Sequence, residues 1–178
     1  MFMDRNSEVE HRYTGLILLS GIDSPGITSA LFSTLEPFSI TVIDIEQVII
    51  RSRLILTVLI ELNPAHASAI EEDLNVCAQT LIVDIAASFE SVTSETIEEK
   101  SYSLCFTVAA QKMSPKFIAS ITEYVLKNGG NIEKIQRQAS SPLTSIEFQI
   151  SGFQNQSFRH DFEAFAKEFD VQITFREK

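Results

Sequence analysis

Apolar residues along this chain fall in short bursts, and their spacing alternates between the period of a strand and that of a helix. Gly15–Ser20 (GLILLS) is an apolar run of strand length. It ends at Gly21-Ile22-Asp23-Ser24-Pro25-Gly26, a turn that also opens a helix. Ser24 is the expected N-cap, and Pro25 suits the first helical position, where a missing N–H costs nothing. Ile27, Ala30, Leu31, Leu35 and Phe38 then recur at helical spacing, and Pro37 marks the end of that helix. Thr41–Ile50 and Arg53–Leu62 are two β-type runs joined by Arg51-Ser52, which predicts a hairpin. Ile43 and Ile45 are expected on one face of the first run, with Asp44 and Glu46 on the other. Asn63-Pro64 stops the hairpin. Ala67, Ile70, Leu74 and Cys77 predict a second helix, and Thr80–Ala86 a last strand. The order is β-α-β-β-α-β.

The same order then repeats. Ser91–Ser101 is polar and reads as a linker. Tyr102–Ala109 is a strand, and Pro115 opens a helix with Ile118, Ile121 and Val125 inward. Asn128-Gly129-Gly130 stops it. Asn131–Ala139 and Leu143–Ser151 form a hairpin around Ser140-Ser141-Pro142. Phe158, Phe162, Phe165 and Phe169 make the stripe of a fourth helix, and Val171–Phe175 closes the unit. Gly21 corresponds to Ala110, an offset of 89, whereas Ser39 corresponds to Gly129 and Ile45 to Ile135, an offset of 90. One residue inserted in the second turn accounts for the difference. The expected architecture is α+β: two ferredoxin-like units, each an antiparallel sheet with both helices on one face. The expected boundaries are a tail at 1–12, a first unit at 13–90, a linker at 91–101 and a second unit at 102–178.

Charge narrows the function. Residues 1–90 hold four basic and thirteen acidic side chains and no lysine, while residues 91–178 hold ten and eleven. Phosphate backbones and anionic lipid surfaces are bound by clustered Lys and Arg, so neither nucleic acid nor membrane is an expected partner. The longest hydrophobic run, Leu54–Ile60, falls far short of the roughly 20 residues of a membrane span, and the first thirteen residues have no apolar core. A cytoplasmic location is expected. Cys77 and Cys105 form no CxxC pair and read as reduced, partly buried thiols. His11, His66 and His160 are scattered, so no metal site is expected. Asp44 and Glu46, and the Glu71-Glu72-Asp73 run, read as solvated faces. Lys112 and Lys116 near the second turn are an ordinary pair.

The stretch Gly21-Ile22-Asp23-Ser24-Pro25-Gly26 resembles the G-x-D-x-P-G turn of ACT domains, small modules that bind amino acids. The tandem arrangement, the GIDSPGITSALF start and the IDIEQVIIRSRLILTVLI hairpin resemble the N-terminal regulatory half of actinobacterial-type phosphoserine phosphatases, over about residues 13–177. The resemblance implies a regulatory module that senses serine, glycine or a similar amino acid, associates as a homodimer, and passes its state to a C-terminal phosphatase domain. The other reading in view is a free-standing regulator of the glycine-cleavage repressor type. The phosphatase family carries an Asp-x-Asp nucleophile motif in its C-terminal domain, and this sequence contains none. No catalytic residue is therefore expected here, nor any cofactor; magnesium is implied only for such a catalytic domain.

Within the turn, Gly21 lacks a Cβ and would let a ligand approach the backbone. N–H groups following Ser24, including that of Gly26, would receive a carboxylate. Asp23 would pair with an α-ammonium, or else simply favour the helix dipole. A branched side chain at Gly21 is expected to block the ligand with little effect on folding. The second unit departs from the pattern: Ala110 stands at the Gly21 position and no acid matches Asp23. Asn131 matches a position where ACT domains often place a ligand-contacting Asn, and Thr41 is its first-unit counterpart. The expected binding set is thus Gly21, Asp23, Ser24, Gly26, Thr41, Ala110 and Asn131.

Overall fold

Strand β1 (His11–Ile22) leads through the turn into helix α1 (Ile27–Leu35), and the hairpin β2 (Thr41–Ile50) and β3 (Arg53–Glu61) follows. A single 3₁₀ turn, Pro64–His66, opens α2 (Ala67–Leu81), and β4 (Asp84–Thr93) completes the first unit. The second unit repeats the order as β5 (Leu104–Ala110), α3 (Pro115–Lys127), β6 (Asn131–Ala139), β7 (Thr144–Ser151), α4 (Phe158–Phe169) and β8 (Gln172–Phe175). This computed structural model describes residues 11–93, 103–154 and 158–176. The chain divides into units Met1–Glu98 and Glu99–Lys178, with sheets ordered β2-β3-β1-β4 and β6-β7-β5-β8, every pairing antiparallel.

Alternation builds each core. In β3, Leu54, Leu56, Val58 and Ile60 are buried while Ile55, Thr57 and Leu59 between them are half-buried. Ile17 and Leu19 of β1 join them, and Ile27, Leu31 and Leu35 of α1 and Ile70 and Leu74 of α2 close over that same face. In the second unit Phe106, Val108, Phe148 and Ile150 face Phe117, Ile121 and Val125 of α3 and Phe162 of α4. This core is aromatic where the first is aliphatic, with Phe106 stacked on Phe148 at 5.0 Å and edge-on to Phe162 at 4.8 Å. The repeat holds in three dimensions. Leu19 pairs with Leu56 as Val108 pairs with Ile146, and Ile45 with Val58 as Ile135 with Phe148. Both hairpins even shift register at equivalent points, Val42/Asp44 and Ile132/Lys134.

The faces away from the helices differ. Residues paired across an antiparallel ladder share a face, so Leu16, Leu18, Leu59, Ile55 and Val48 stand together on the outer face of the first sheet. On the second sheet the corresponding face carries Cys105, Thr107, Glu147 and Gln149.

Several boundaries correct the expectation. α1 starts at Ile27, with Gly26 rather than Ser24 as its N-cap and Pro25 outside the helix. Phe38 lies beyond the helix end, packed on the core from the following loop. The last strand of the first unit is not Thr80–Ala86: α2 runs to Leu81 and ends because Ile82 turns left-handed, at φ 56°. β4 then alternates half-buried Ile85, Ala87 and Phe89 with exposed Asp84, Ala86, Ser88 and Glu90, and takes in Ser91–Thr93, the first residues of the expected linker. The rest of that linker lies outside the described residues, as does most of the expected N-terminal tail; β1 begins within it, at His11. Ile43 does not share a paired face with Ile45, because it is the extra residue of the β2 irregularity. Among the described residues, no helix is long and apolar enough to cross a membrane.

Candidate functional site

The β1–α1 turn is held from two sides. Arg51 and Ser52 both adopt positive φ, the left-handed pair of a tight two-residue hairpin, and the Ser52 carbonyl accepts the Asp23 N–H at 2.9 Å. On the helix side, the Thr28 hydroxyl donates to Gln47 Oε1 on β2 at 2.7 Å. Between these anchors Asp23, Ser24, Pro25 and Gly26 are all exposed.

No side chain caps α1. The Ile27 N–H reaches the Ser24 carbonyl only at 3.5 Å, whereas Gly26 supplies its carbonyl to the Ala30 N–H at 2.9 Å. Gly26 has φ 95°, a left-handed conformation that glycine adopts without penalty, and a Cβ there would meet nothing within 4 Å. The first N–H groups of a helix have no intrahelical partner and carry the positive end of its dipole. This helix start is therefore an acceptor-seeking surface, with exposed Asp23 four residues before Ile27. The second unit closes the same feature. Ser114 Oγ accepts the Phe117 N–H at 3.2 Å and Pro115 occupies the first helical position, the arrangement that Ser24-Pro25 were expected to make.

Gly21 serves packing as well as the turn. It is buried, opposite Leu54, and a Cβ on it would fall 2.6 Å from Val83 Cγ1. The side of Gly21 expected to face a ligand is filled by Val83, so a branched residue there disrupts the sheet edge before it meets any ligand. Thr41 is not brought to the turn. It pairs with Glu61, which pairs with Thr14, so Thr41 lies level with the opposite end of β1 from Gly21. Ala110 is buried at the end of β5 opposite Thr144, and Asn131 sits at the far end of that sheet opposite Ser151. The Asn131 amide donates to Glu133 Oε1 at 2.8 Å, and the Ser151 hydroxyl donates to the same carboxylate.

Sequence reasoning missed Gln47, Val83 and the Ser52 carbonyl as parts of the turn; the hairpin register was the signal, since it brings residues 51–52 beside residue 23. It also missed Glu147, which is 4% exposed on the outer face of β7, bonded to Arg176 Nη2 at 2.5 Å and accepting the Gln149 amide at 2.9 Å. Burial pushes the neighbouring Cys105 thiol up, and the Glu147 carboxylate adds to the rise while Arg176 opposes it.

Comparison with known proteins places this geometry. The ACT domain family model matches residues 14–88, which begin in β1, contain the turn and end in β4. The first unit is an ACT domain. The second repeats the ACT architecture strand for strand. The chain is 30% identical over 148 residues to phosphoserine phosphatase of Streptomyces coelicolor, covering 82% of this chain and 35% of that protein. It is likewise 30% identical over 138 residues to phosphoserine phosphatase SerB2 of Mycobacterium tuberculosis, covering 76% and 33%. The chain thus spans about a third of the length of the curated relatives it matches. Two solved structures share the two-unit ACT fold along nearly their full length. One is a proposed glycine cleavage system transcriptional repressor, with TM-score 0.67, 16% identity and coverage of 93% of this chain and 96% of that one. The other is a protein of unknown function from Galdieria sulphuraria, with TM-score 0.68, 18% identity and coverage of 95% and 99%.

Proposed function

We propose that the chain is a regulatory module whose first ACT domain binds a small amino acid, serine or glycine, at the β1–α1 turn. The observation that carries this reading is the uncapped helix start at Gly26, exposed beside Asp23 in the domain that matches the family, while the second unit's equivalent is capped by its own Ser114. The ligand carboxylate would meet the N–H groups at the start of α1, and its ammonium would meet Asp23. Thr41 and Asn131, at the opposite ends of their sheets, would join such a site only from another unit set antiparallel to it. The similarity to phosphoserine phosphatases supports a role in sensing the product of phosphoserine hydrolysis, with a phosphatase domain as the responding partner. A free-standing regulator is the second reading, and the fold shared with a proposed glycine cleavage system transcriptional repressor supports it.

Titration calorimetry with each of the twenty amino acids tests the proposal. Serine or glycine is expected to bind, and Asp23→Asn to weaken binding about 10- to 150-fold, the equivalent of about 1.5–3 kcal/mol for one charge-assisted contact. Absence of binding by any amino acid at millimolar concentration overturns the reading. The chain by itself is expected not to hydrolyse phosphoserine with magnesium present; turnover well above background would place catalysis here after all.

A further inference from the structure

Helices α1 and α2 close over the same face of the first sheet, and a cleft of about 360 Å³ lies between them. Half-buried Ala30 and Leu81 and buried Cys77 line it, with exposed Val76 at the rim. Its polar lining comes from Ser33 and Thr34 on α1 and from Asp73 and Thr80 on α2. Most of these groups accept rather than donate. The Thr34 hydroxyl spends its proton on the Ala30 carbonyl at 3.0 Å and the Thr80 hydroxyl on the Val76 carbonyl at 2.9 Å, so each oxygen has only lone pairs left to offer. The Ser33 hydroxyl can turn either way, but Asp73 adds a carboxylate. At the α1 end, Glu36 and Phe38 return their N–H groups to the Phe32 and Leu35 carbonyls. Pro37, also in the lining, has no N–H to return to the Ser33 carbonyl four residues before it. The last turns of both helices border the cleft, and a helix C-terminus carries the negative end of its dipole. Neither helix contains a lysine, arginine or histidine.

We infer that this cleft is a second ligand site, and that it takes a small organic ammonium ion with a short apolar body and no carboxylate. An ammonium brings three donors and no acceptor, the complement of this lining. Its hydrocarbon body would cover Ala30, Val76 and Leu81. A carboxylate would meet Asp73 and find no cation to balance it. A bare divalent ion takes six or more oxygen ligands and would leave the apolar lining without a use. The volume sits at the low end of the roughly 300–1,000 Å³ of small-molecule sites, which keeps the ligand small. The cleft is thus the chemical opposite of the β1–α1 turn, whose uncovered N–H groups seek an acceptor. It does not depend on whether that turn binds an amino acid.

Amide chemical shifts of the isotope-labelled full chain, followed as phenethylamine is added near neutral pH, test the assignment. Saturable shifts are expected at Thr34, Val76, Cys77 and Thr80, with a dissociation constant on the order of 1 mM. Phenylpropionate, which carries a carboxylate on a similar body, is expected to leave those signals in place, and serine is expected not to reverse the shifts. Asp73→Asn should weaken phenethylamine about three- to fivefold, as for one exposed ion pair. Glu72→Gln removes the same charge from the same helix outside the cleft and should leave the affinity unchanged. Thr80→Tyr, at an exposed position, should fill the cleft and abolish the shifts. Absence of saturable shifts well above that concentration overturns the proposal. So does equal binding of phenylpropionate, an affinity that Asp73→Asn leaves intact or that Glu72→Gln weakens as much, or a set of shifts confined to the β1–α1 turn.

Discussion

Gly21 shows how one absent methyl group can serve packing as much as chemistry. Its Cβ position is occupied by Val83, so Gly21→Ala is expected to destabilise the first unit by about 1–3 kcal/mol, the usual cost of overpacking. The double variant with Val83→Ala should recover most of that loss, and urea unfolding of the three proteins measures both. Cys105 makes a prediction about pH. Its thiol is held above the ordinary value by burial first and Glu147 second, so the folded state keeps a proton that the unfolded chain surrenders. The stabilisation is complete below the unfolded thiol's pKa and is lost as pH rises through the folded value. Stability of the second unit is thus expected to fall above about pH 9, and Cys105→Val should flatten that fall. Comparing the urea midpoints of wild type and variant at pH 8 and pH 10 isolates the thiol from the lysines and tyrosines that titrate nearby.

Helices α1 and α3 are equivalent elements begun in different ways, and the difference is measurable. Ser114→Ala removes a cap and should cost about 1 kcal/mol, whereas Ser24→Ala removes none and should be nearly neutral. Strand β8 is the shortest of the described strands and an edge of its sheet. It has four residues, and Arg176, just beyond it, is tied down by its N–H to the Cys105 carbonyl at 3.0 Å and by its guanidinium to Glu147. Arg176→Ala leaves a buried carboxylate short of its cation, at about 1–3 kcal/mol given the exposed arginine, and hydrogen exchange in β8 should quicken. At this scale much was legible in advance. The hairpin around Arg51-Ser52, the Asn128-Gly129-Gly130 stop and the four-phenylalanine stripe all follow from local chemistry. The helix start did not, because Ser24-Pro25 satisfy the capping rule as well as Ser114-Pro115 do. In the folded chain the Asp23 N–H bonds to the Ser52 carbonyl, a contact between distant residues, and the helix begins past Ser24-Pro25, at Gly26. The end of α2 escaped for a related reason: nothing local marks Ile82, a β-branched residue, as left-handed. The outer faces escaped too, since a half-buried Leu59 and a buried Glu147 owe their setting to neighbouring strands.

For the whole molecule, two separate cores imply two units that fold on their own. Fragments 1–98 and 99–178 are each expected to unfold cooperatively, and sigmoidal urea transitions in both would bear this out. Their makeup differs enough to tell them apart. The second core clusters Phe106, Phe148, Phe162 and Phe175 with Tyr124 against Phe162 and Phe165, so near-ultraviolet dichroism and ring-current-shifted methyl signals should report mainly on it.

The residue that separates an offset of 89 from one of 90 sits where the repeat tolerates a change of length. Ile27, Leu31 and Leu35 recur ninety places later as Phe117, Ile121 and Val125, while Leu19 recurs eighty-nine places later as Val108, so the extra residue fell between strand and helix. Within a strand, the same insertion would have turned every later side chain to the wrong face. In the turn it left both cores intact and altered only the loop that would meet a ligand. The copies could then part ways, one keeping an open loop while the other spent its serine on closing its own helix.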